Sequence, residues 1–94
     1  MKYYTYKGTK IRLEKQEYRS NGTLAVAMYS QNGELYDVIT VNLQDRMQSD
    51  TMVYLDVKNH PGIGRWLQRR GLALPMYYTH RSGFVEYPLY TIMF

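Results

Sequence analysis

Two Asn-Gly dipeptides, Asn21-Gly22 and Asn32-Gly33, constrain the fold of this chain more than any other feature of its sequence. Asn and Gly both tolerate the positive φ angles of tight hairpin turns, and alternating apolar and polar segments flank the second dipeptide on both sides. The segment between the two dipeptides predicts a strand over residues 23–29, whose alternate residues from Leu24 onward face a core. The N-terminal half is therefore predicted to be an antiparallel meander.

Further strands are predicted on either side of these turns. Residues 10–14 alternate cleanly before the first turn, and residues 35–43 follow the second turn with Ile39 and alternate residues after it facing the core. The polar residues 44–51 predict a loop or a single helical turn. Residues 52–57 are apolar on both faces apart from one aspartate, which predicts a strand in the centre of the sheet.

One short helix is predicted over residues 59–70. Asn59 is a suitable N-cap, and Gly71 is expected to end the helix in the left-handed conformation. Three apolar residues recur at helical spacing and predict the face that packs on the sheet: Ile63, Trp66 and Leu67.

The C-terminal segment, residues 84–94, has strong strand character. Pro88 cannot donate to a ladder, so this strand is expected to be an edge or to be interrupted there. The uncharged residues after Pro88 predict either a buried strand or an exposed edge that pairs with another chain. The candidate protein-interface residues on this segment are Leu89, Tyr90, Ile92 and Phe94.

Length and composition bound the architecture. The chain has 94 residues, 45% of them hydrophobic, which is enough for one core without disulfide or metal staples. The absence of cysteine excludes disulfides, thiolate metal sites and a cysteine nucleophile. We therefore predict a single α+β domain over residues 1–94, with an antiparallel sheet of five or six strands and one short helix packed on one face.

No pattern in the sequence indicates catalysis. The two histidines, His60 and His80, have no partner at a metal-ligand spacing, and no cofactor motif is present. Neither a signal-peptide core nor an apolar segment of membrane-spanning length occurs. The sequence thus predicts a cytoplasmic protein that is not an enzyme, binds no cofactor or metal and does not enter a membrane.

The charge distribution is the one feature of the sequence that indicates what kind of partner the protein binds. The net charge is +4, and the segment from Lys58 to Gly83 carries five basic residues and no acidic one. These charges predict a surface for nucleic acid or another anion, with tyrosines available for stacking on bases. The alternative is a solvated helix face that complements the helix dipole. The candidate contact residues are Arg65, Arg69, Arg70, Arg81, Tyr77 and Tyr78.

Several short segments resemble a known family. They are residues 55–61 (Leu-Asp-Val-Lys-Asn-His-Pro), Trp66-Leu67, residues 71–73, Ser82-Gly83-Phe84 and residues 87–90 (Tyr-Pro-Leu-Tyr). Together they are similar to domain of unknown function 4313, over roughly residues 52–90. The resemblance implies a small bacterial protein of the kind often encoded on mobile elements, and it implies no activity. Its members tend to be acidic where this helix carries arginine, so the resemblance does not imply the basic face.

Two functions remain open from the sequence. The first is a non-enzymatic protein-interaction module of a bacterial mobile element, a monomer or weak homodimer whose C-terminal strand adds to a protein partner. The alternative is a weak nucleic-acid-binding protein that uses the basic helix face.

Overall fold

The structure is a computed structural model that describes residues 2–43 and 48–94. In these residues the chain forms one helix, α1 (Ile63–Arg69), and eight strands. The strands are β1 (Tyr4–Tyr6), β2 (Thr9–Glu17), β3 (Leu24–Ser30), β4 (Leu35–Val38), β5 (Thr40–Val41), β6 (Met52–Leu55), β7 (Ala73–Ser82) and β8 (Val85–Ile92). The loop or helical turn predicted over residues 44–51 lies partly outside the described residues.

The strands form two antiparallel sheets of four strands each. Their orders are β1-β2-β3-β4 and β5-β6-β8-β7. The α+β class and the antiparallel pairing agree with the sequence prediction, whereas the single sheet of five or six strands is wrong. The chain passes from one sheet to the other within the segment that the sequence predicted to be one continuous strand.

That passage occurs at Ile39. Its amide donates to the carbonyl of Val26 in β3 at 3.0 Å, and its own carbonyl accepts from the amide of Asp56, just after β6, at 2.9 Å. The residue is fully buried, as predicted. The alternating pattern continues through Ile39, and alternation reports which face of a strand is buried but not which sheet the strand joins. The expected strand over residues 35–43 is therefore divided into β4 and β5.

The two predicted turns are confirmed. β2 and β3 pair antiparallel from Ile11 opposite Ser30 to Glu17 opposite Leu24, and β3 pairs with β4. Gly22 and Gly33 adopt φ angles of 71° and 84°, which only glycine adopts without steric cost. Local turn chemistry thus specifies both of these turns.

The hydrophobic core includes side chains of both sheets and of α1. The buried cluster is formed by Tyr6, Ile11, Leu24, Val26, Met28, Ile39, Val53, Leu55, Ile63, Leu67, Leu72, Ala73 and Ile92. Burial of this apolar surface, together with packing of the two sheets and the helix, supplies the main stabilising free energy.

The helix is shorter than predicted at its start and ends where predicted. It begins at Ile63 after Gly62, whose φ is 79°, and no side chain caps it. Asn59 is not the N-cap, because its side-chain amide donates to the Asp56 carboxylate at 2.8 Å and holds the preceding turn. Gly71 has a φ of 70°, and its amide donates to the Gln68 carbonyl at 3.0 Å, which closes the C-terminus.

The C-terminal strand lies inside its sheet. β8 pairs with β6 through Leu89, Tyr90 and Thr91, and with β7 along its other side. Of the two alternatives predicted for this segment, the buried strand is therefore confirmed and the exposed edge is wrong. The edges of the sheet are β5 and β7, and the sequence did not reveal β7 because a bulge between Pro75 and Thr79 breaks its alternation.

Candidate functional site

The basic side chains of α1 point away from the core. Ile63 and Leu67, one helical turn apart, are fully buried. Arg65 and Arg69 follow each of them by two residues, which places them about 200° further around the helix. Both are exposed, and none of the carboxylates in the described residues forms an ion pair with either of them.

Trp66 fixes the position of this helix and of a third arginine. Its indole N–H donates to the carbonyl of Thr5 at 3.1 Å, and its ring lies edge-on to the ring of Tyr6. The guanidinium of Arg70 stacks 4.1 Å from the centre of the Trp66 ring and donates to the Trp66 carbonyl at 2.9 Å. Arg70 is thus held in place by a cation–π contact and a C-terminal carbonyl.

These side chains line an open cleft of about 570 Å³, which we call the arginine cleft. Its helix side carries Arg65, Trp66, Arg69 and Arg70, and its sheet side carries Pro88 and Tyr90 of β8. Three guanidinium groups on one side of a cleft create a positive field there, which attracts anions.

A second cleft of about 380 Å³ adjoins it, which we call the aromatic cleft. Its lining includes Pro75, Tyr77 and Tyr78 of β7, together with Pro88 and Tyr90. Tyr77 lies in the β7 bulge with a φ of 57°, and its side chain is 92% exposed. A bulky residue in this conformation costs about 1–3 kcal/mol.

The two clefts are adjacent, and they share the lining residues Pro88 and Tyr90. Tyr90 reaches across to the helix at Gly64, where a side-chain Cβ would fall 2.6 Å from its Cζ atom. Glycine at position 64 therefore allows the tyrosine ring to pack directly against the helix backbone. We refer to the two adjacent clefts together as the groove.

The groove unites most of the predicted nucleic-acid contacts. Arg65, Arg69 and Arg70 line one part of it and Tyr77 and Tyr78 the other. Arg81 lines neither cleft, and its guanidinium lies 3.6 Å from the carboxylate of Glu86 across the β7–β8 hairpin. Its positive charge is therefore partly compensated within the fold.

The predicted protein-interface residues do not lie together on one surface. Leu89 and Ile92 are buried, at 2% and 7% exposure, so neither presents a surface to a partner. Tyr90 belongs to the groove. Phe94 lines a different cleft, beside Tyr4 and Leu72, with the Lys15 ammonium 6.0 Å from the centre of its ring.

A polar cluster lies near the helix but outside the groove. The hydroxyl of Tyr6 is 3.1 Å from Nδ1 of His60, and Nε2 of His60 is 3.0 Å from a carboxylate oxygen of Asp37. Burial, with smaller contributions from Tyr36 and Asp37, raises the pKa of Tyr6, so its hydroxyl stays protonated and can donate to Nδ1. Tyr6 and His60 are only 3% and 5% exposed, whereas the side chain of Asp37 is 51% exposed, so the cluster joins β1, β4 and the turn before α1 and reaches the surface at Asp37.

The sequence analysis did not identify the uncharged residues that form the sheet side of the groove. Pro88 was predicted to mark an edge or an interruption of its strand, Tyr90 was predicted to lie in a protein interface, and Pro75 was given no role. All three line the sheet side of the groove. The signal that could have identified them is the pair of prolines in apolar strand segments, because proline in a strand marks a bulge or an edge.

The described residues carry neither a metal-binding cluster nor a membrane-spanning helix. Across residues 2–43 and 48–94, no three side chains from His, Cys, Asp or Glu are grouped in a way that could hold a metal ion. Within those ranges, none of the helical structure has the length and apolar character needed to cross a membrane.

Comparison with known proteins identifies a family and gives no activity. No curated protein and no solved structure matches the chain. One family model does match, that of a domain of unknown function, DUF4313, and it covers residues 12–94. The matched region is longer than residues 52–90, over which the sequence resemblance extends, and it includes both sides of the groove. The chain therefore belongs to the DUF4313 family.

Proposed function

We propose that the protein is a non-enzymatic nucleic-acid-binding module whose arginine cleft holds the phosphate backbone. The observation that supports this most directly is the exposure of Arg65 and Arg69 one helical turn apart, without an ion pair to any described carboxylate. Like charges at this spacing destabilise a helix by about 0.2–0.5 kcal/mol. A phosphate between them removes that repulsion.

The competing hypothesis is a protein partner that binds by strand addition along Leu89–Phe94. Strand addition there has less support, because β8 already pairs with β6 and with β7 between Leu89 and Thr91. The arginine cleft, in contrast, is open and lined by exposed cations. Its charge complements a phosphate backbone, which supplies most of the affinity in non-specific nucleic-acid binding.

The test is a titration of labelled single- and double-stranded DNA and RNA at several salt concentrations. Three phosphate contacts predict a slope of log affinity against log salt of about −2.1 for single strands and −2.7 for duplex. Affinity should then fall about 20- to 40-fold between 50 and 200 mM salt.

The matched variants compare the cleft with charge elsewhere. Arg65→Glu/Arg69→Glu should abolish binding, whereas Lys10→Glu/Arg19→Glu, which makes the same change in net charge at two exposed positions, should retain a measurable salt slope. Equal losses in the two variants would mean that net charge alone attracts the nucleic acid. No binding by the unaltered protein at low salt would overturn the proposal and direct the search to acidic proteins.

A further inference from the structure

The groove presents two chemically different surfaces to one ligand. The arginine cleft supplies cations from α1, and the aromatic cleft supplies the rings of Tyr77 and Tyr78. Their volumes, about 570 and 380 Å³, lie in the range of about 300–1,000 Å³ typical of sites for small organic molecules. Each cleft is therefore of a size to receive a small part of an open strand, whereas the whole width of a duplex fits neither.

Tyr77 is the residue that the fold itself explains least. It adopts a left-handed backbone conformation, which is unfavourable for a bulky side chain. Its ring is almost fully exposed, so packing of the ring contributes little to the stability of the fold. The bulge that contains it redirects side chains away from the regular sheet pattern. The backbone of this exposed aromatic residue is strained, and the residue lies beside a cationic cleft. Together these observations indicate that its side chain serves in binding and not in packing.

Resting on the proposed function, we infer that the nucleic acid is single-stranded and that its bases stack on Tyr77 and Tyr78 while its phosphates lie along Arg65 and Arg69. In a duplex, neighbouring base pairs cover the faces of the bases. A single strand leaves them free, and stacking of such faces on aromatic side chains tolerates any base sequence. Pro88 and Tyr90, which line both clefts, lie between the two subsites.

The experiment measures fluorescence anisotropy of a labelled strand of about 12 nucleotides and of the corresponding duplex. The single strand should bind more tightly than the duplex. Tyr77→Gly removes the ring and suits the positive φ, so this variant should weaken single-strand binding by roughly 5- to 150-fold while its thermal midpoint rises. Its salt slope should not change, because the phosphate contacts remain.

Two further variants separate stacking from general surface effects. Tyr77→Phe keeps the aromatic face and should bind like the unaltered protein. Phe84→Ala removes an aromatic ring that is 100% exposed at the hairpin turn and lines neither cleft, so it should also leave binding unchanged.

The outcomes distinguish this inference from the proposal on which it rests. Equal affinity for strand and duplex, or full binding by Tyr77→Gly, would overturn the inference while an arginine-dependent salt slope still supported nucleic-acid binding. Loss of binding in Phe84→Ala equal to that in Tyr77→Gly would overturn the assignment of stacking to the groove. Absence of binding to both probes by the unaltered protein would overturn the proposed function itself.

Discussion

At the scale of single residues, we expect the hydroxyls of Tyr6, which is buried, and Tyr18, which is half-buried, to make stability depend on pH. Burial raises the pKa of Tyr6, and the nearby Tyr36 and Asp37 raise it further. Burial also raises the pKa of Tyr18, with Asp56 adding to the effect and the hydrogen bond to Thr40, 2.8 Å long, opposing it. The folded state therefore holds both protons more tightly than the unfolded state does.

This predicts a specific alkaline loss of stability. Because both pKa values are raised from the ordinary value of 10.0, the stabilisation is fully present below about pH 10 and is lost as pH rises through the folded values. Thermal unfolding from about pH 8 to about pH 12 should show this decline. It should be shallower in Tyr6→Phe/Tyr18→Phe than in Tyr77→Phe, which alters an exposed ring. The same decline in both variants would contradict the assignment.

At the scale of elements, the contact between α1 and β8 predicts an unusual response to alanine. Replacing a helical glycine with alanine ordinarily stabilises a helix by about 0.5–1 kcal/mol. At Gly64 the new Cβ would meet the ring of Tyr90, so we expect Gly64→Ala to destabilise the protein by about 1–3 kcal/mol.

A double-mutant cycle isolates this contact. With Tyr90→Ala as background, the obstruction is absent and Gly64→Ala should become stabilising, which chemical denaturation can measure. As a matched control, Gly62→Ala tests a neighbouring glycine with a φ of 79° and no atom near its Cβ position. It should destabilise equally with or without Tyr90. A cost of Gly64→Ala that persists in the Tyr90→Ala background would show that the ring is not its cause.

Elements governed by local chemistry were predictable from the sequence. Gly22, Gly33 and Gly71 set two turns and a helix end through their own φ angles, and all three were identified in advance. The start of α1 was not, because Asn59 had two available partners and the Asp56 carboxylate, rather than the helix amides, accepted its hydrogen bond. Sheet membership was also hidden, since nothing in the alternation around Ile39 marks a change of sheet.

The groove was predictable only in its parts. The arginines of α1 and the Tyr77-Tyr78 pair were recognised from charge and composition. Their meeting depends on the β7 bulge and on the position of Tyr90 opposite Val53 and Pro75, which are long-range features of the sheet. A sequence pattern specifies such residues as candidates and leaves their arrangement to tertiary structure.

At the scale of the whole molecule, hydrogen bonds at Ile39 and at the neighbouring Thr40 join the two sheets. Ile39 bonds to Val26 in one sheet and to Asp56 beside the other, and the core includes side chains of both. We expect one cooperative unfolding transition rather than two. In native-state hydrogen exchange, the Ile39 amide should open with the full free energy of global unfolding, as the Val26 amide should. An Ile39 amide that opens at markedly lower free energy would show that the sheets separate independently.

The two sides of the groove differ in how firmly the rest of the fold supports them. β6 supports β8 only from Leu89 to Thr91, so in the described structure the ladder formed by residues 79–82 and 85–88 is a two-stranded ribbon without a third strand. Such ribbons are only marginally stable alone and bend easily. Trp66, in contrast, anchors the opposite wall to β1. We therefore expect the sheet side of the groove to move more readily at Pro88, which lies in this ribbon, than the helix side does at Trp66.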